Sequence, residues 1–410
     1  TTPQINNEGK VIWRGGGGSL SEIFLYDGIS TIQLTNNSWE NRYFEINDVG
    51  QVAYVDSDGS DSEIFLYDGA GITQITDNTY GDNYPKMGNN GEIVWETWDG
   101  SDNEIFLYDG TSVLQITNNS RGDIYPQINN KGDVVWSGSD GSDSEIFLYD
   151  GAGITQITDN TSGDDYPKIS DNGEIGWEAW YGSDNEIFLY DGTDITQLTD
   201  NSYSDVDPQI SGSGKVVWAG WDGSDFEIFL YDGMGTIQLT DNDVADYRPR
   251  INSNGDVVWY GSDGSVNQIF LYDGTSTIQL TNNPAGANSP ELNDSREVAW
   301  RGGSDGIYAE IFLGIPCSLD DDNDDDGYVS ASCGGDDCRD SDPDVNPGMS
   351  EMPGNGIDDD CDGRIDEWAT ASAEASSFTS RSVRTSGLFN ELALFFIPLG
   401  AILALRILRK

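Results

Sequence analysis

The stretch Glu22-Ile-Phe-Leu-Tyr-Asp-Gly28, EIFLYDG, decides the fold, because the chain writes it six times without change. A seventh copy, QIFLYDG, runs from Gln268 to Gly274, and a truncated eighth, EIFLG, from Glu310 to Gly314. The step is 41 residues: Phe24, Phe65, Phe106, Phe147, Phe188, Phe229 and Phe270 share one register, and Phe312 follows after a one-residue insertion. A second aromatic position keeps the same step eight times, from Trp13 and Tyr54 through Trp95, Trp136, Trp177, Trp218 and Trp259 to Trp300. Strand-like units repeating at this length are the mark of propeller blades.

Each unit reads as four strands. The first follows the proline of segments such as PQIN and PKIS (Pro3, Pro85, Pro126, Pro167, Pro208, Pro249, Pro290), with Phe44 in its place once. A tight turn comes next, with Gly at 9, 50, 91, 132, 173, 214 and 255 and Arg296 as the exception. Gly there supplies the positive φ of a short hairpin. VVW and its variants form the second strand. EIFLY, apolar on both faces, forms the third and requires cover on both sides, as stacking between neighbouring blades provides. DG then turns into a fourth strand, ITQLT or TIQLT. The first three strands occur eight times and the fourth only seven, so the expectation is an all-β, eight-bladed propeller over 1–314, with seven blades as the alternative.

The sequence QLTDN…D…P.I…G.VVW…EIFLYDG resembles the repeats of TolB-type β-propellers. The elements carrying the resemblance are the Leu-Thr before the loop, an Asp three residues before Pro (Asp82, Asp123, Asp164, Asp205, Asp246), and the aromatic third strand. It implies the fold and leaves activity open, because such propellers serve as binding platforms, accessory proteins and enzymes. Loops alternate between the two faces of an antiparallel blade. The NNG and YDG turns share a monotonous face; the loops after the second and fourth strands share a variable one, which is the expected binding face. There Trp98, Trp180 and Trp221 occupy equivalent positions, with Trp39 and Tyr181 in related loops. Two readings are open for these aromatics: a stacking platform for sugar rings, or lids over the gaps between blades. The repeated DGSD segments read as weak calcium sites or as solvated turns.

The formal charge is −54, from 73 acidic and 19 basic residues. Such a surface repels nucleic acid and anionic lipid. With no histidine in the chain, His-based triads and imidazole metal ligands are excluded. All four cysteines lie between Cys317 and Cys361, which points to disulfides and an oxidising compartment.

Residues 315–368 change character: 317–368 hold 18 acidic residues against Arg339 and Arg364. Asp322, Asp324 and Asp326 precede Gly327, and Asp358, Asp360 and Asp362 precede Gly363, a D-x-D-x-D-G spacing that can wrap oxygens around a hard cation. Neither loop has a Glu at its twelfth position, so a compact calcium loop is expected rather than an EF-hand. The segment from Cys333 to Glu367 resembles the MopE-type metal-binding motif of secreted and surface bacterial proteins, through Asp337-Cys338, Asp340 to Gly348, Glu351 and Asn355 to Gly363. The resemblance implies metal binding, with Asp340, Asp342 and Asp366 added to the candidate ligands. Oxygen ligands without histidine favour calcium over copper. The expected disulfides are Cys338–Cys361 and Cys317–Cys333.

Residues 369–387 are small and polar, a flexible linker. Residues 388–410 are apolar with a basic end and are expected to form a C-terminal transmembrane helix that leaves the rest outside the cell. The function expected from these parts is non-catalytic binding at a prokaryotic cell surface, to a glycan or another protein. The competing readings are a polysaccharide lyase or hydrolase with an Asp-based site, and a structural envelope component.

Overall fold

The computed structural model describes residues 2–16, 21–39, 41–303 and 310–316, the single positions Val345, Pro347, Met349, Ile357 and Cys361, and the segments Ala393–Phe395 and Ile402–Ile407. The chain divides into two compact units, Thr1–Ile311 and Phe312–Lys410. Among the described residues every regular element is a strand.

The first unit is an eight-bladed β-propeller. In each of the first seven blades four strands follow chain order across an antiparallel sheet. In the eighth, Ala287–Leu292 pairs with Val298–Gly302, and the strand Glu310–Pro316 begins at the end of the unit. Blade 3 shows the rule: Asp82–Met87 is innermost, followed by Ile93–Trp98, Asn103–Tyr108 and the short outer Val113–Gln115.

EIFLY works as its pattern demands. Its Ile is fully buried in every described copy from Ile23 to Ile269. The hydrophobic clusters each join two blades: Val94, Ile105 and Leu107 of blade 3 pack with Val134 and Trp136 of blade 4, and Val135 and Ile146 of blade 4 pack with Ile175 and Trp177 of blade 5. A blade thus buries one face against each neighbour, the arrangement that makes isolated repeats unstable and the ring cooperative. Within a blade the aromatic of the second strand stacks on the Phe of the third, as in Trp136–Phe147 at 5.8 Å and 15°.

Side-chain hydrogen bonds lock the repeat. The buried aspartate that opens the inner strand accepts from the indole Nε1 of its blade: Asp82–Trp95 3.1 Å, Asp123–Trp136 2.9 Å, Asp164–Trp177 2.9 Å, Asp205–Trp218 3.0 Å and Asp246–Trp259 3.1 Å. The Thr after the fourth strand accepts from the first Ile amide of the third, as Thr117 Oγ1 does from Ile105 N at 2.8 Å. The hydroxyl thus extends the pairing beyond the three-residue fourth strand Val113–Gln115.

The ring closes on the monotonous face. Asn6 Nδ2 donates to Asn47 O, Asn47 to Gly88 O, Asn129 to Ser170 O and Asn252 to Asn293 O. Asn293 Nδ2 then returns to Asn6 O at 3.0 Å, across 287 residues of sequence. The last blade therefore meets the first by the same contact that joins interior blades.

One boundary differs from the sequence reading. In blades 3 to 8 the inner strand starts three residues before the proline, not after it. Proline is tolerated because this strand lines the channel as a free edge and bulges at that point. Tyr84 and Pro85 together stand opposite Trp95 in the pairing of inner and second strands.

In the second unit Ala393–Phe395 pairs antiparallel with Ile402–Ile407. The membrane helix expected over 388–410 falls otherwise outside the described residues, as do the linker 369–387 and nearly all of 317–368. Among the described residues no helix is long and apolar enough to cross a membrane.

Candidate functional site

The inner strands surround a central cavity of about 620 Å³. Two positions per repeat govern it. The residue after each proline, or its equivalent, forms a ring of eight: Gln4, Glu45, Lys86, Gln127, Lys168, Gln209, Arg250 and Glu291, all lining the cavity. The residue before the proline forms a second ring: Thr2, Tyr43, Tyr84, Tyr125, Tyr166, Asp207, Arg248 and Ser289.

The second ring is built on strained backbone. Tyr84, Tyr125, Tyr166, Asp207, Arg248 and Ser289 all have φ between 52° and 58°, a region that non-glycine residues enter at a cost of about 1–3 kcal/mol. The bulge is the cause, and two glutamates, Glu96 buried and Glu178 partly so, hold it: Glu96 accepts from the Tyr125 amide and Glu178 from the Asp207 amide, both at 3.1 Å. Burial pushes both carboxyls up to about 7, against the pull of those amides. Blade 2, with Phe44 instead of proline, has no such bulge in its inner strand.

Three of these strained positions, joined by Tyr43 of the unbulged blade 2, form an arc of four tyrosines. Tyr43 and Tyr84 lie 4.2 Å apart, Tyr84 and Tyr125 meet edge-on at 6.4 Å, and Tyr125 and Tyr166 stack at 4.5 Å. The Tyr84 hydroxyl is pushed up to about 12 by its Tyr43 neighbour and by burial. Tyr84 and Tyr166 remain exposed. Because Asp82 pairs with Thr97, the arc opens at the blade end that carries Trp98, on the variable face.

The first ring is charged and ordered. Lys86 pairs with Glu45 at 2.8 Å, and Arg250 with Glu291 at 3.0 Å and Asp207 at 3.7 Å. Gln4 donates to Glu45 at 3.1 Å. Lys168 lines the cavity and is half-buried by surface area, because the channel admits solvent. Its desolvation, with Lys86 and Arg250 adding to it, lowers its ammonium to about 8. Arg250 moves the other way, since Glu291 and Asp207 together outweigh its burial. Five of the chain's 19 basic residues line this cavity, against three of its 73 acids. The axis of a strongly acidic protein thus gathers cations.

The aromatics singled out from sequence lie elsewhere. Trp39, Trp98, Trp180 and Tyr181 are 49, 50, 57 and 50% exposed, too open to serve as inter-blade lids. Trp221 packs edge-on to Phe226 at 5.4 Å, and Phe226 continues to Tyr247. Trp98, Trp180 and Trp221 sit on separate blades, with no ring contact among them. The tyrosine arc went unread although its signal was present: once repeats are aligned, the two residues flanking proline vary inside an otherwise constant frame.

The DGSD loops are Asx turns, with Asp99 accepting from the Ser101 amide at 2.9 Å. They also gather carboxylates. Asp58, Asp61 and Glu63 lie with oxygens within 4.8 Å of one another, as do Asp99, Asp102 and Glu104, Asp140, Asp143 and Glu145, and Asp222, Asp225 and Glu227. Such spacing suits a hard divalent cation bound at 2.3–2.6 Å. The candidate ligands Asp322, Asp324, Asp326, Asp340, Asp342, Asp358, Asp360, Asp362 and Asp366 lie outside the described residues. So do Cys317, Cys333 and Cys338; Cys361 is not free, and its partner lies beyond the described residues.

A family model for a metal-binding motif of the MopE copper-binding type matches residues 337–367. No curated protein matches the chain by sequence. Among solved structures the chain is similar to dipeptidyl peptidase 4 of Porphyromonas gingivalis, at 12% identity and TM-score 0.53, over 78% of this chain and 58% of that one. It is also similar to the β-propeller domain of the Trilobed protease from Pyrococcus furiosus, at 13% identity and TM-score 0.51, over 69% of this chain and 95% of that one. TolB from Acinetobacter baumannii aligns at 16% identity and TM-score 0.39, over 68% of this chain and 80% of that one. At such identities the first two likenesses speak for the fold alone, and the chain spans little more than half the length of the peptidase. The protein is a β-propeller followed by a MopE-type metal-binding motif.

Proposed function

We propose that this is a non-catalytic binding protein of the prokaryotic cell surface, and that it takes a glycan at the channel mouth. The observation that carries this reading is the tyrosine arc, held open by strained backbone at the rim of a cavity of about 620 Å³. Exposed tyrosine faces stack on sugar rings, and their hydroxyls and the rim amides and cations serve the sugar oxygens. Trp98 and Trp180 extend the same face. The acidic module then acts as a calcium-stabilised, disulfide-linked stalk (Cys338–Cys361 and Cys317–Cys333), and the C-terminal apolar segment as the membrane anchor. Extracellular calcium would also fit the carboxylate clusters of the DGSD loops.

Glycan-array binding of the whole chain tests the reading. Tyr84→Ala and Tyr166→Ala should each abolish the hits with the fold intact. Retention of every hit in both variants, or turnover of a bound polysaccharide, would refute it.

A further inference from the structure

The first ring is not a random assortment of side chains. Read in both directions from Gln4 it gives Glu, then a cation, then Gln, and the two paths meet at Lys168. Gln4 and Lys168 are four repeats apart, half a turn of an eight-bladed ring. The acids Glu45 and Glu291 flank Gln4, and each is neutralised by the next residue round, Lys86 and Arg250. Lys168 is left over. Among the described residues it has no hydrogen bond and no ion pair, and neither does the neighbouring Gln127 amide. An ammonium without an ion pair, opposed by Lys86 and Arg250 and only partly offset by Asp207 and Glu45, is unfavourable unless something further offsets it. Within this ring the half around Gln4 is paired, and across from it Lys168 carries a charge without an ion pair, the nearby Asp207 of the second ring being engaged by Arg250 and the Gln127 amide standing as an unused donor beside it.

We infer that Lys168, with the Gln127 amide, forms an oxyanion site inside the channel, taking the carboxylate of an acidic sugar or a free oxyanion of like size. This rests on the reading of the channel mouth as the ligand entrance and names the group that penetrates beyond the tyrosines. The acidic exterior does not prevent it. Surface charges are screened over about 8 Å at physiological ionic strength, whereas the channel wall presents its cations at contact.

Calorimetry on the whole chain at constant ionic strength tests this. The probes are trigalacturonate, its methyl ester, acetate and sulfate. The free acid should bind roughly ten- to hundredfold tighter than the ester, as a charge-assisted hydrogen bond warrants. Lys168→Met should erase that preference without lowering the thermal midpoint, since it removes an unpaired charge, and Lys168→Arg should keep it. Competition by sulfate or acetate supports a site for free oxyanions; binding of the sugar acid without such competition supports the glycan carboxylate. Equal binding of acid and ester by the native chain overturns the site, and so does an unchanged preference in Lys168→Met. If either result comes with binding that Tyr84→Ala abolishes, the mouth stands and only the oxyanion site falls. Should no probe bind and no tyrosine variant matter, both fall.

Discussion

Replacing Asp205 by Asn should change the stability of the propeller by an amount that depends on pH in a calculable way. Asp205 is 2% exposed and accepts from Trp218 Nε1 at 3.0 Å and Asn201 Nδ2 at 2.7 Å. Burial raises its carboxyl from 3.8 to about 6, the bonds from Asn201 and Trp218 opposing, with the charge of Glu186 adding to the rise. The native state thus holds this proton more tightly than the unfolded chain. Below 3.8 both states are protonated and the group contributes no pH dependence. Between 3.8 and about 6 the unfolded chain ionises first, so native stability falls as pH rises, by about 3 kcal/mol in total. Asn keeps an acceptor for the indole and does not titrate. Its amide faces the Asn201 donor badly, but that cost is the same at every pH. Urea unfolding followed by tryptophan fluorescence at pH 3.5 and 7.5 isolates the titrating part. The variant should gain about 3 kcal/mol on the native protein between the two conditions. Asp205→Ala provides the contrast: it strands the Trp218 and Asn201 donors, about 1–3 kcal/mol each, at either pH. A difference between Asn variant and native protein that stays flat from pH 3.5 to 7.5 would refute the argument, as would one of opposite sign.

Three further outcomes are expected. Asn293→Ala removes the contact that returns the ring to Asn6; amide exchange should accelerate in blades 1 and 8, whereas Asn129→Ala should loosen blades 4 and 5 instead. Trp136→Ala should cost roughly 3–5 kcal/mol as a buried large-to-small change, while Trp98→Ala and Trp180→Ala should stay within about 0.5 kcal/mol because both rings are exposed; equal losses by chemical denaturation would contradict the assignment of core and rim. Calcium should raise the thermal midpoint of the whole chain, following the logarithm of its concentration, and Asp358, Asp360 and Asp362 changed together to Asn should blunt the rise; a midpoint indifferent to calcium and to chelator removes the calcium reading.

The fold was legible because the physics that builds it is repetitive. EIFLY must be covered on both faces, and a 41-residue period gives each copy two identical neighbours, so the ring followed from Phe24 and its six in-register partners. The buried Asp–Trp bond was also written plainly, as an Asp three residues before the proline in five repeats, although its purpose was not. The channel was harder to see. Tyr84 and Lys86 are separated by a single proline, and a proline at that point reads as the start of a strand. In blades 3 to 8 a bulge, which no local propensity announces, carries the strand past the proline and leaves such side chains in the rings. The exposed tryptophans stood out in sequence because tryptophan is conspicuous, but residues like Trp98 and Trp180 one to a blade do not converge. Convergence belongs to the axis.

That contrast follows from symmetry. An eight-fold ring offers eight equivalent copies of every feature of its repeat, and a ligand that lacks eight-fold symmetry can distinguish among them only where the copies differ. Structural positions cannot differ freely: the buried Asp, the stacked Trp and Phe and the Thr hydroxyl each complete a network whose other members are fixed. The residues on either side of the proline escape this constraint, since their side chains leave the sheet edge for the channel. There the chain varies, with tyrosines gathered over four successive repeats and a charge order that runs from two paired acids to a lysine without an ion pair. A scaffold alone would be served by any small polar side chain at those positions. Backbone strain in six blades and a half-buried, unpaired ammonium both work against stability, and both occur on the one axis where every blade can contribute to a single bound molecule.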